Sequence, residues 1–216
     1  MGRTLDGVFI LHQTKNNVKE IFYNIGEQNM VEQVDIPNQS TCHIILPDGT
    51  PTIVRPIRGD EGPKLTAGLA ELSPNSRYQR FLSPKTSFFP GELDFLTHGD
   101  GVNHLALVLD VTDTDDHELR SVAVARCVRD SSNSSLAEVA IVVADEWQRR
   151  GVGKVLFKEL ANRAWKVGIH SWRAFFLSNN TGIRKLMKVI GTKQLERLED
   201  YNVVEVVYNL FPPSTN

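Results

Sequence analysis

Cysteine is scarce in this sequence. Two residues in 216, Cys42 and Cys127, are too few for a disulfide framework, and neither has a second Cys or a His at metal-ligand spacing. They read as small buried hydrophobes in a reducing compartment. Long apolar runs are missing too. None approaches the roughly 20 residues that span a bilayer. The opening MGRTLDGVFILHQTKNN has only a short apolar stretch, too brief for a secretory core. A Met-Gly start is present, but Asp6 stands where a myristoylation signal needs Ser or Thr. A cytoplasmic protein is expected. Charge of one sign is also lacking: 24 basic against 26 acidic side chains leave −2. That balance gives no general pull toward nucleic acid or anionic membrane, so neither is expected as a partner and any anion site must be local. The six histidines, at 12, 43, 98, 104, 117 and 170, show no metal spacing, and no metal is expected. Repeats and low-complexity segments are absent.

What is present is an ordinary globular composition, 41% apolar and 23% charged, in a chain long enough for one domain with an appendage. Residues 1–40 are polar and weakly patterned, with a candidate strand at 7–11 and a short helix at 16–23. From residue 41 the pattern sharpens. Pro47-Asp48-Gly49-Thr50 between two apolar runs signals a hairpin. Leu65, Leu69 and Leu72 predict an amphipathic helix over 60–72, with Asp60 as N-cap and Pro63 in its first turn. Short helices are expected at 75–83 and 92–98. Three strands at 104–111, 121–129 and 136–144 are joined by polar, turn-rich segments and should pair antiparallel. A long helix over 151–167 follows, with Val152, Leu156, Leu160 and Ala164 on one stripe. Then come a strand at 170–177, a helix at 181–190 closed by Gly191, and strands at 194–198 and 203–210.

The chemistry concentrates between residues 137 and 164. A nearly wholly apolar strand runs into Gln148-Arg149-Arg150-Gly151-Val152-Gly153-Lys154 and directly into a helix. The first turn of a helix has N–H groups without intrahelical partners, and its dipole favours an anion. Two glycines let ligand oxygens approach the backbone. Residues 147–158 carry Arg149, Arg150, Lys154 and Lys158 and no acid. Together these features describe a diphosphate-binding site. A Walker loop is excluded, because Gln148 replaces its first glycine and Val155 its hydroxyl. A Rossmann fingerprint is excluded because Leu156 stands at its third glycine position. The bland reading is a tight turn with basic surface residues.

What remains, Q/R-x-x-G-x-G/A, resembles the coenzyme A loop of the GNAT acyltransferases. Further segments agree, including the family's strand–loop–helix–strand order. Leu177-Ser178-Asn179-Asn180-Thr181-Gly182-Ile183 is similar to the family's strand-end segment, in which Asn180 matches the Asn near the CoA arm; it serves equally well as a helix N-cap. Val54-Arg55-Pro56-Ile57-Arg58-Gly59-Asp60 resembles the opening of many GNAT domains. Leu72-Ser73-Pro74-Asn75-Ser76-Arg77-Tyr78-Gln79-Arg80-Phe81 resembles the first-helix region of bacterial protein-lysine acetyltransferases. The resemblance covers residues 45 to 210 or so, and divides the chain into an N-terminal extension, 1–40, and a GNAT domain, 41–216.

It implies an α/β fold of the α+β type: a mixed, mostly antiparallel, splayed sheet of about seven strands flanked by helices. It implies acetyl-CoA as co-substrate, held by Ile141, Val142 and Val143 along the pantetheine arm, by Gln148, Arg149, Arg150, Gly151, Val152, Gly153 and Lys154 around the diphosphate, and by Asn180. Glu138, the only charged residue between 136 and 144, is the candidate general base. Desolvation on its strand should raise its pKa; the plain alternative is a solvated carboxylate or a partner for Arg126. The acceptor is expected to be a primary amine, a protein lysine first and a small-molecule amine second; a non-catalytic acyl-CoA sensor is the third reading. A homodimer stays open. One departure stands out. Where many family members place a Tyr acid toward the leaving thiolate, this chain has Met187 and Lys188. Departure without a protein acid is expected, with Tyr201 or Tyr208 as the alternative.

Overall fold

The computed structural model describes residues 40–112 and 119–213. The candidate strand at 7–11 and helix at 16–23 lie outside the described residues. The elements run β1 (Cys42–Ile45), β2 (Pro51–Pro56), α1 (Gly62–Glu71), α2 (Pro74–Phe81), α3 (Pro90–Thr97), β3 (His104–Thr112), β4 (Leu119–Arg129), β5 (Leu136–Val143), α4 (Val152–Lys166), β6 (Ser171–Leu177), α5 (Thr181–Ile190), β7 (Gly191–Asp200) and β8 (Val203–Leu210). Single 3-10 turns, Gly59–Glu61 and Asp145–Trp147, precede α1 and the α4 loop. The strands form one open eight-stranded sheet in the order β1-β2-β3-β4-β5-β6-β8-β7. Every neighbouring pair is antiparallel except β5 with β6, which is parallel. The mixed, mostly antiparallel α+β architecture matches the expectation, with eight strands among the described residues where about seven were expected.

Strand alternation divides the core. Leu105, Leu107 and Leu109 of β3 face α4, whose Leu156, Leu160 and Ala164 are fully buried against them. The opposite face, Ala106 and Val108, packs with Ile57 and Leu65 on the side of α1, and Val142 of β5 lies against Leu69, Leu72 and Phe81. Thus α4 and α5 cover one face while α1 and α2 cover part of the other.

Three local expectations change. The N-cap position of α1 is Glu61 rather than Asp60. Glu61 instead joins Arg55 and Asp110 in a buried network: Arg55 donates to Glu61 at 2.6 and 2.8 Å and to Asp110 at 2.7 Å. Burial opposes ionisation of Glu61, but the hydrogen bonds from Arg55 and the Arg58 N–H, with the charges of Arg55 and Lys64, outweigh it and hold its carboxyl down at about 2. Gly191 follows α5 in extended backbone and opens β7. A Cβ there would stand 2.1 Å from the Asn209 carbonyl oxygen; strand approach, rather than a left-handed cap, is what requires glycine. Finally, β7 runs longer than 194–198 because pairing with β8 carries it from Gly191 to Asp200.

Candidate functional site

The parallel seam is where the sheet opens. β5 and β6 are in register only at Leu136↔Ser171, Ala137↔Trp172 and Glu138↔Arg173. Beyond Glu138, β5 stays paired with β4 as far as Val143↔Ala123, and β6 stays paired with β8 as far as Leu177↔Val203. The two strands separate, and a cavity of about 380 Å³ occupies the gap, within the size range of small-molecule sites. Its walls are Glu138 to Val143 on one side and Ala174, Phe175 and Phe176 on the other. Backbone groups along the unpaired edge of β5 need a partner from outside the sheet.

At the far end of the cavity the chain turns into α4. Arg149 takes a left-handed backbone, φ 62, and Gly151 another at φ 93. Such values suit glycine and are uncommon for arginine. A Cβ on Gly151 would also meet Pro47 Cδ at 3.0 Å, and one on Gly153 would meet Leu186 Cδ1 at 3.2 Å. The glycines therefore seat the loop against the β1–β2 turn and let α4 approach α5. Among the described residues no side chain caps α4, so its first-turn N–H groups are available to an anion.

Of the residues singled out in the sequence, Glu138, Ile141, Val142, Val143, Gln148, Arg149, Gly151, Gly153, Lys154 and Asn180 all line this one cavity. Two do not. Arg150 turns away: it pairs with Asp48 at 2.7 Å, donates to Thr50 and lies over the Trp147 ring, 4.0 Å from its centroid. The positive charge at the cavity is thus smaller than the sequence count suggests. Val152 is 1% exposed and belongs to the core, as the first apolar residue of the α4 stripe must. Asn180 acts as the N-cap of α5, its Oδ1 accepting from the Ile183 N–H at 3.2 Å. Gln148 is tied down, its amide donating to Ser76 Oγ, the Val143 carbonyl and Asp145.

Glu138 is half-buried in the middle of the sheet. The same cavity is lined by Arg80 from the last turn of α2. Burial pushes the Arg80 guanidinium down to about 10, and the charges of Glu138 and then Glu92 act in the opposite direction. Arg126 is buried with its Nη1 donating to the Leu96 carbonyl. Burial and the neighbouring Arg80 push it down to about 9. The tyrosines considered as acids lie elsewhere: Tyr201 is 95% exposed, Tyr208 sits in the main core, and neither lines the cavity. Met187 is buried and Lys188 exposed. Both cysteines are free, and burial pushes the Cys127 thiol up to about 12, as an inert core residue requires.

Asp145 was not anticipated. It accepts from the Ser73 N–H at 2.7 Å, Ser73 Oγ at 3.0 Å and Ser76 Oγ at 2.5 Å, locking the start of α2 to the end of β5. Its signal was faint: one acid closing an apolar strand, with a Ser-Pro-x-Ser N-cap far away in sequence. The walls from β6 and α5, Phe175, Phe176, Ile183, Lys185 and Leu186, were also unread, because side-chain facing depends on where the sheet splays. Among the described residues no group of His, Cys, Asp and Glu could hold a metal ion, and no helix is long and apolar enough to cross a membrane.

Comparison with known proteins gives the same frame. The model of the acetyltransferase (GNAT) family matches residues 84–192, half of the chain. The sequence is 30% identical over 162 residues to acetyltransferase Pat of Mycolicibacterium smegmatis, covering 75% of this chain and 46% of that protein. Against acetyltransferase PA5475 of Pseudomonas aeruginosa it is 29% identical over 146 residues, covering 68% and 77%. The chain thus spans less than half the length of the first of these relatives. The crystal structure of the GNAT domain of S. lividans PAT superposes with a TM-score of 0.67 at 28% identity, over 79% of this chain and 97% of that domain. With its splayed strand, basic loop and following helix inside the matched stretch, the chain belongs to the GNAT acetyltransferase family.

Proposed function

We propose that residues 41–216 form an N-acetyltransferase domain that moves an acetyl group from acetyl-CoA to a primary amine, with a protein lysine as acceptor and Glu138 as general base. The observation that carries this reading is the continuity of the cavity: it runs without a break from Glu138, along the unpaired edge of β5, to the uncapped start of α4. The residues suit the co-substrate. Arg149, Lys154 and the first-turn N–H groups of α4 offer charge and donors for a diphosphate. The β5 edge at Ile141, Val142 and Val143 offers backbone groups to an amide-bearing arm, and Phe175 and Phe176 wall its other side. Acetyl-CoA supplies the activated acyl group as a thioester. The lysine acceptor rests on the resemblance of the segment from Leu72 to Phe81 to bacterial protein-lysine acetyltransferases.

An amine attacks only through a free lone pair, whereas a lysine ammonium has a pKa of about 10.4. Glu138 takes that proton at its carboxylate, directly or through one water, and so frees the lone pair. The nitrogen then bonds to the acyl carbon, the C–S bond breaks with the electron pair leaving on sulfur, and the second nitrogen proton is lost to water. No tyrosine of the described residues lines the cavity, which supports departure of the thiolate without a protein acid. Isothermal titration with acetyl-CoA, run beside a Gly151→Glu variant, tests the reading. Micromolar binding that the variant abolishes is the expected outcome; absence of binding by the wild-type protein would remove the reading.

A further inference from the structure

Glu138 lies in a crowded electrostatic setting. Arg173 of β6, its register partner, is committed to Asp130 at 2.9 Å and Glu205 at 3.0 Å. Arg126 of β4 is buried and donates to the Leu96 carbonyl. Glu92 of α3 is paired with Lys85 at 2.9 Å. Arg149, Lys154 and Lys185 line the part of the cavity toward the α4 loop and α5. Arg80 is different. It lines the same cavity as Glu138 from α2, and the charge of Glu138 is the first of the two acids that act on it.

Several independent ties fix where Arg80 stands. Ser73 and Ser76 at the start of α2 are bound to Asp145. Phe81 is buried beside Leu69 and Leu72, with the Arg80 guanidinium 4.8 Å from its ring centroid. Leu82 closes the helix in a left-handed conformation, its N–H bonded to the Tyr78 carbonyl. By contrast Tyr78, on the same helix, is exposed. A half-buried cation held this firmly on the cavity wall biases the ionisation of whatever it faces.

We propose that Arg80 is the positioning residue of this site: held by the last turn of α2 on the wall of the cavity that Glu138 also lines, it keeps the Glu138 carboxylate ionised and disfavours the ammonium form of the incoming amine. Both effects have one sign. A nearby cation lowers the proton affinity of a carboxylate and of an amine alike, so each reactant enters in the form the transfer needs. The inference rests on the proposed role of Glu138 as base.

The test requires no acceptor. The full chain is labelled with ¹³C at glutamate carboxyls, and the Glu138 signal is assigned by its loss in Glu138→Gln. Removing the charge in Arg80→Gln is expected to raise the Glu138 titration midpoint by about one pH unit, the lower end of the effect of an adjacent arginine on a carboxylate. Arg80→Lys is expected to keep it near the wild-type value, while the exposed Glu196 stays unmoved in all variants. An unchanged Glu138 midpoint in Arg80→Gln overturns the proposal. If that variant fails to fold, Arg80→Met carries the same comparison. Failure of the base assignment is distinguishable, because Glu138→Gln would then acetylate normally while the midpoint still shifted.

Discussion

Two seams of the same sheet differ in what they do. Between β3 and β4 the register runs unbroken from His104↔Val128 to Leu109↔Ala123, shifts once, and continues to Thr112↔Leu119. Between β5 and β6 it stops after three pairs. The closed seam adjoins the buried Arg55–Glu61–Asp110 network, where Asp110 also accepts from Ser121 Oγ at 2.5 Å. The open seam has a cavity where the ladder would have continued. Hydrogen bonds completed within the sheet stabilise it but leave nothing for a ligand. Those left incomplete along β5 are the ones a ligand can complete.

The comparison predicts that the two seams fail in different ways. The largest effect belongs to the open one: Glu138→Gln should lower turnover on a lysine-containing acceptor by roughly 10²–10⁴-fold, with acetyl-CoA affinity and thermal midpoint unchanged. Loss of stability with it would erase the distinction. At the closed seam, Arg55→Met leaves Glu61 and Asp110 buried without their cation. Removing one partner of such a network should cost about 3–5 kcal/mol, read by urea unfolding, while titration of the protein that remains folded still shows acetyl-CoA binding.

Acid sharpens the contrast. Glu61 is held at about 2 in the folded protein against an ordinary 4.5. Its folded pKa is depressed, so its contribution is complete above pH 4.5 and is lost as pH falls through that value toward 2. Thermal midpoints should drop across this window, and less steeply in Glu61→Gln. The smallest expected effect is none: Tyr201→Phe, on a side chain 95% exposed and outside the cavity, should leave turnover unchanged. A fall in turnover would restore a tyrosine acid to the mechanism.

Much of this was legible from one chain of residues. The Asp48-Gly49 hairpin, the α4 stripe of Leu156, Leu160 and Ala164, and the order of strands and helices follow from local turn chemistry and periodicity, which need no tertiary information. The loop of Gln148 to Lys154 announced itself by glycines and positive charge in one short stretch. What the stretch could not reveal was which charges point inward. Arg149 and Lys154 face the cavity, but Arg150 is claimed by Asp48, 102 residues away in sequence. The bond that the Ser73 N–H donates to Asp145 was hidden for the same reason, spanning 72 residues.

The sequence alone determined the types and order of the elements, the family resemblance and the place of the basic loop, because helix and strand periods, caps and glycine requirements are set by neighbours along the chain. Tertiary structure alone decided where the sheet opens, that Val152 is core and Arg150 a tether, and that Arg80 and Glu138 line one cavity. These depend on contacts between residues far apart in sequence, and a side chain's charge or period does not specify which distant partner it will meet.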